Sequence, residues 1–175
     1  MKLPRPVGRI NDYGQTLERP HREALAERIA AFTKLGIEFW YLASWNDPFA
    51  NVWRYAAEVA AYWGLGDGAL LIVFVKGDRG WRIAGWRGEA VRARLPDTPW
   101  LRALQTAREE ILRHHPSKVI LDLADTLLAY LRSGAAPAAD HGGPSAPTLA
   151  GMVIGGLYIL VRLVRLIRQL RTGII

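Results

Sequence analysis

The hydrophobic pattern is centred on residues 69–76, ALLIVFVK, which are apolar up to the last position. A run of this length, rich in β-branched and aromatic residues, predicts a strand buried on both faces. Lys76-Gly77-Asp78-Arg79-Gly80 is turn chemistry: two glycines are open to positive φ, and the aspartate can bond its own backbone. Residues 81–86, WRIAGW, then return as an antiparallel strand. A central strand buried on both faces needs helices above and below it, and the flanking sequence supplies them.

Residues 5–13 read as extended, because Pro4 and Pro6 oppose helix. A first helix is predicted from about Pro20 to Lys34, with Leu25, Ile29 and Phe32 on one face and Gly36 just past its end. Residues 37–43, IEFWYLA, form the next strand. Asn46-Asp47-Pro48 is expected to cap a second helix over roughly 48–63, whose apolar stripe is Phe49, Val52, Trp53, Ala56, Ala60 and Trp63. The glycine-rich loop 64–68 leads into the central strand. Strand, helix, strand is a crossover unit, so 37–43 and 69–76 should run parallel with a right-handed connection. A short helix at 89–95 and longer helices at 99–114 and 117–132 follow. The expected fold class is α/β: a three-layer sandwich in which helices flank a small mixed β-sheet, over residues 1–133, plus one C-terminal membrane helix.

That last element comes from a change in pattern. Residues 134–147, GAAPAADHGGPSAP, read as a linker of small residues and prolines that cannot bury a core. Residues 149–161 are wholly apolar, but 13 helical residues span only about 20 Å against a hydrocarbon core of roughly 30 Å. Helical periodicity continues beyond them. Arg162, Arg165, Arg168 and Arg171 take one half of the circumference, and Leu163, Val164, Leu166, Ile167 and Leu170 take the other. A helix reaching Leu170 would span about 33 Å, with the arginines snorkelling to phosphates or pairing with a partner. Residues 148–171 are therefore expected to be embedded in a bilayer. Gly151 and Gly155 stack on one helix face with Gly156 beside them, a surface on which a neighbouring membrane helix can pack closely.

Charge follows this division. The net charge of +7 is concentrated at the end, where residues 141–175 hold four arginines and no acid. Residues 1–140 keep 19 basic and 16 acidic side chains, a balance of +3 that argues against a nucleic-acid partner. Cysteine is absent, which removes disulfides and thiolate metal sites. The seven tryptophans are most simply core and interface residues. The opening residues 1–14 hold no apolar run of signal-peptide length, so the domain is expected on the cytoplasmic side of an inner or intracytoplasmic membrane. An arginine cluster after the apolar run favours the opposite topology by the positive-inside rule.

Between Ile10 and Leu131 the residues resemble the TPM-domain family. The matching positions are Ile10-Asn11-Asp12-Tyr13, Tyr55-Ala56, Trp63-Gly64-Leu65-Gly66, Gly68-Ala69-Leu70-Leu71-Ile72-Val73, Asp78-Arg79 and Arg82-Ile83. The resemblance implies an α/β sandwich around a mixed sheet, often followed by a membrane helix. It links the chain to thylakoid-lumen proteins associated with photosystem II repair, some described as acid phosphatases. The chain departs from that pattern in its acids. The family's longer acidic loop, ending Asp-Asn-Gly, is shortened to Gly66-Asp67-Gly68, and Ala84 stands where a second acid is common.

The candidate ligand-binding residues are Asp12, Asp67, Asp78, Arg79 and Arg82. Asp12 and Asp67, with backbone carbonyls, are the pair open to a weak calcium site; otherwise no cofactor is expected. Arg79, Arg82 and Arg87 are open to phosphate or to a protein contact. His114 and His115 point about 100° apart on a helix and suit a helix C-terminus better than a shared metal. Ser44 and Ser117 sit in no nucleophile motif, and Asp122 and Asp125 read as the solvated face of the last helix. The expectation is a membrane-tethered, non-catalytic accessory or assembly subunit of an integral membrane protein complex, photosynthetic by resemblance. The alternative is an acid-phosphatase-like enzyme or a cation-binding regulator.

Overall fold

The computed structural model describes residues 3–45, 49–78 and 80–133. The expected tail, with Gly151, Gly155, Gly156, Arg162, Arg165, Arg168 and Arg171, lies outside the described residues. So do Asp47 and Arg79. Among the described residues no helix is long and apolar enough to cross a membrane.

Four strands form one sheet in the order β1 (Ile10–Asp12), β2 (Glu38–Ser44), β3 (Ala69–Gly77) and β4 (Gly80–Arg87). The first three run parallel, and β4 is antiparallel to β3. Leu70 to Val75 of β3 have no or almost no exposed surface, as the unbroken apolar run requires. Side chains alternate between two cores. Phe39, Tyr41, Leu70, Ile72, Phe74 and Ile83 face α1 (Arg19–Lys34), α4 (Asp97–Glu110) and α5 (Pro116–Ser133). Leu42, Leu71, Val73, Val75 and Ala84 face α2 (Val52–Tyr62). Phe32 stacks on Phe39 at 4.6 Å, and Tyr41 meets Phe74 edge-on at 5.6 Å. The short α3 (Glu89–Arg94) adds Val91 to the first core. The strands step in one direction, β1 to β2 to β3, while α1 and α2 cover opposite faces. The two crossovers therefore have opposite hands, and the right-handed rule holds for only one of them.

Three boundaries differ from the sequence reading. Helix α2 starts at Val52 rather than near 48, because the Asn51 side chain accepts from the amides of Trp53 and Arg54 while Ala50 sits at φ 53° and cannot continue a helix. Helix α4 begins earlier, at Asp97, and ends at Glu110; the chain must leave helical geometry before Pro116. At that point His115 caps the start of α5, its Nδ1 lying 3.0 Å from Ser117 Oγ, rather than serving a helix C-terminus. The His114 side chain instead meets the Glu110 carboxylate, Nε2 to Oε2 at 3.0 Å. Asp125 is more than a solvated residue. It receives both Nε and Nη2 of Arg28 at 2.9 and 2.7 Å, which ties α1 to α5.

Helix α4 also closes the outer edge of β4. Gly85 is bare so that the Trp100 ring can lie on it; a Cβ there would sit 2.6 Å from that ring. Further along, Arg108 Nε donates to the Ile83 carbonyl at 3.1 Å. An edge strand covered this way offers little to a foreign strand.

Candidate functional site

Parallel strands that end together gather their following loops at one end of the sheet, where open α/β folds place their ligands. Here that end holds Asp12, Tyr13, Ser44 and Trp45, with Lys76, Asp78, Trp81 and Arg82 from the hairpin. The register aligns Asp12 with Ala43 and Ala43 with Phe74, so these loops are neighbours.

Asp12 does not face a ligand. Its side chain is 2% exposed and is consumed by the turn that follows it. Oδ1 accepts from Thr16 N at 2.9 Å and Thr16 Oγ1 at 2.8 Å, and Oδ2 accepts from Leu17 N at 2.8 Å. Arg22 approaches Oδ2 at 3.8 Å. Because the Thr16 hydroxyl donates to Asp12, the Tyr41 hydroxyl at 2.6 Å must donate to Thr16. The chain Tyr41, Thr16, Asp12 is a buried relay of hydrogen bonds that fixes the β1–α1 turn. Burial pushes the Tyr41 phenol well above its usual range, and the Asp12 charge reinforces the shift.

Asp67 lies at the other end of the sheet. It precedes Ala69, which pairs with Glu38 at the start of β2, whereas Asp12 closes β1. The two carboxylates are separated by the length of the sheet and cannot share a cation. Asp67 itself is exposed, and its backbone has the closer role: its carbonyl accepts from Val91 N at 3.3 Å. Gly88 packs against this loop so tightly that a Cβ would fall 2.4 Å from that carbonyl oxygen. Among the described residues, no three of His, Asp or Glu converge as metal ligands.

Arg87 is also structural. It is buried, gives Nη1 to the Leu95 carbonyl and Nη2 to Asp97 at 2.5 Å, and lies 4.7 Å over Trp100. Desolvation lowers its pKa, which the bond to Asp97 opposes. Asp78 is exposed at the hairpin turn. Arg82 lies across Gly77, with Nη1 3.5 Å from the Ala50 carbonyl. Ser117 is buried beside His115, and Asp122 pairs with Lys118; both are local helix contacts.

Beside the exposed Asp78, the strand ends present aromatic and cationic groups. Trp45 is 48% exposed and tilts toward Trp81 at 6.2 Å. The Lys76 ammonium sits 4.5 Å from the Trp45 ring and 5.9 Å from that of Trp81. Trp81 rests on Gly14, where a Cβ would come within 2.9 Å of its ring. This glycine seats the hairpin against the β1 turn. The sequence reading singled out none of Trp45, Lys76 and Trp81. The signal was present: a two-residue turn at 78–79 pairs Gly77 with Gly80, and hence Lys76 with Trp81.

The described residues also form two concavities. One, of about 280 Å³, lies at the β4 edge and is lined by Val52, Trp81, Arg82, Ile83, Arg108 and Ile111. A larger groove of about 510 Å³ runs between α4 and α5. Its walls include Ala103, Leu123 and Leu127, and its rim acids Glu110 and Asp122 are already paired.

The family model described as the TPM domain matches residues 10–130. The chain belongs to the TPM-domain family. A solution NMR structure of the N-terminal domain of a protein from P. gingivalis is similar to this TPM domain, with a TM-score of 0.64. It is 19% identical, and the match covers 71% of this chain and 82% of that one. At that identity the likeness speaks for the fold alone. Among curated proteins none matches the chain. Within the TPM domain, the acid before the central strand and the acid at the end of β1 are thus held at opposite ends, one exposed and one spent on a turn.

Proposed function

We propose that this TPM-domain protein works by binding rather than by catalysis, as an accessory or assembly subunit held to a membrane complex through residues 148–171. The observation that supports this reading is the composition of the strand ends. The exposed groups there include Tyr13, Trp45 and a lysine lodged between two tryptophans; the Asp12 carboxylate is turned inward and fully engaged, and Asp78, on the hairpin turn, is the exposed acid among the described residues at this end. Exposed tryptophan beside a cation is the chemistry of a contact surface, in which large aromatic rings supply area at little cost in conformational entropy. General acid–base or metal-assisted hydrolysis needs carboxylates that reach the substrate or its metal. The arginines beyond the apolar stretch would set its depth in the bilayer, and Gly151, Gly155 and Gly156 would meet a partner helix. The family resemblance makes a photosynthetic complex a candidate partner.

The test is purification of the tagged full chain from native membranes in mild detergent, followed by chemical cross-linking. A discrete complex, cross-linked near Trp45 and Lys76 and lost when 148–171 are deleted, is the expected result. A full chain that fractionates away from membranes and cross-links to nothing would overturn the reading.

A further inference from the structure

The cavity at the β4 edge has a composition that neither the core nor the edge explains. It lies where α2 and α4 approach each other around β4, and its walls Val52, Ile83, Ile111 and Trp81 are apolar or aromatic. Two guanidinium groups, from Arg82 and Arg108, line it, and among the described residues no carboxylate does.

Arg108 is the more informative of the two. Its Nε donates to the Ile83 carbonyl at 3.1 Å, and its Cζ lies 4.6 Å from the centre of the Trp53 ring. One hydrogen bond and one ring contact fix the guanidinium plane. Neither Nη group makes a hydrogen bond or an ion pair among the described residues. Burial alone moves its pKa, downward, because no acid offsets the desolvation. Partial desolvation of a guanidinium with no carboxylate beside it costs free energy that an oxyanion would recover. Sealing the strand edge uses only Nε, which leaves the Nη pair, the fork that fits an oxyanion in two parallel bonds, without a role.

We propose that this cavity is a binding site for an oxyanion, carboxylate or phosphate, carried on a small apolar or planar group. The oxyanion takes the Nη fork of Arg108, and Arg82 lies in the same lining. The apolar part lies against Trp81, Val52 and Ile111. About 280 Å³ suits a ligand the size of a single ring with its charged group, just below the usual range of drug-sized pockets. Among the described residues the lining offers no nucleophilic hydroxyl, imidazole or carboxylate, and the proposal is one of binding. The proposal concerns the β4 edge and is independent of membrane attachment.

The experiment uses the full chain in mild detergent, labelled with 15N, and follows the tryptophan indole signals, with Trp53→Phe to assign one of them. Benzoate and inorganic phosphate are titrated separately at constant ionic strength, with sodium chloride as the control. Saturable shifts of the Trp53 and Trp81 indoles are expected with at least one probe and not with chloride. Tighter binding of benzoate would indicate a carboxylate on a ring, and tighter binding of phosphate a phosphoryl group. Arg108→Gln should weaken binding by about tenfold or more, as loss of a charge-assisted bidentate contact implies. Arg108→Lys keeps the charge but not the fork and should also weaken it, while Arg113→Gln, outside the cavity, should not. The Lys variant decides the matter if the Gln variant folds poorly. Shifts that chloride reproduces, absence of saturable binding by either probe, or a midpoint unchanged in both Arg108 variants would overturn the proposal.

Discussion

Asp12→Ala is expected to damage the fold far more than any ligand-site role would require. The substitution leaves the amides of Thr16 and Leu17 without their acceptor, and Thr16 is almost fully buried. A buried donor left unsatisfied costs about 1–3 kcal/mol, so the two amides together set a loss of about 3–4 kcal/mol. The Thr16 hydroxyl can turn toward Tyr41 and adds little. Arg22, half exposed and 3.8 Å away, adds less. For a domain of this size, about 3–5 °C of melting temperature accompany each kcal/mol, which gives a drop of about 10–20 °C. Asp12→Asn keeps one acceptor oxygen for Thr16 and should lose about half as much. Asp67→Ala, at an exposed side chain, should stay within about 0.5 kcal/mol. The assay is thermal melting of the full chain followed by near-UV circular dichroism, with and without excess calcium. If Asp12→Ala and Asp67→Ala melt alike, or calcium raises the melting temperature of the wild type but of neither variant, the two carboxylates act together and the reasoning fails.

Tyr41 makes stability sensitive to alkali: its phenol ionises near 10 in the unfolded chain but higher in the fold. Its contribution is intact below about pH 10 and is lost as the pH climbs from there toward the folded-state value. Tyr41→Phe should therefore cost about 1 kcal/mol at neutral pH yet flatten the alkaline limb of an unfolding curve; an unchanged alkaline limb would refute this. Gly88→Ala should destabilise by more than about 3 kcal/mol, because the new methyl meets backbone atoms of Gly66 and Asp67. Gly14→Ala, which meets the Trp81 ring edge, should be milder and should show chiefly in that indole's NMR signal. The full chain should hydrolyse a generic phosphomonoester only at background rate. Activity that scales with protein and disappears in Asp67→Asn would contradict that. In the tail, Gly151→Leu with Gly155→Leu should leave membrane fractionation intact and weaken co-purification with the partner; undiminished co-purification would place the docking face elsewhere.

The architecture was legible because its signals are local. The apolar run of β3, the turn residues after it and the 3.6-residue stripes of α1 and α5 each specify an element without outside help. The start of α2 was misplaced because two asparagines compete as caps, and Asn51 prevails through its bonds to Trp53 and Arg54. The fate of the acids was not legible. Asp12 and Asp67 both read as loop aspartates, and only the strand register puts them at opposite ends of the sheet. Nothing in the sequence pattern singles out Arg108. Its place over Trp53 and against Ile83 depends on α2 and α4 meeting around an edge strand, which no stretch of sequence records.

The central claim is that the strand ends form a contact surface rather than a catalytic one. The most direct measurement compares three full-length chains purified in mild detergent from native membranes: wild type, Trp45→Ser with Lys76→Glu, and Asp67→Ala. The account predicts that the wild type and Asp67→Ala carry the same partner complex in equal yield, while the Trp45–Lys76 variant, folded by circular dichroism and still in the membrane fraction, loses most of it. Equal recovery of the complex by all three chains would contradict the account.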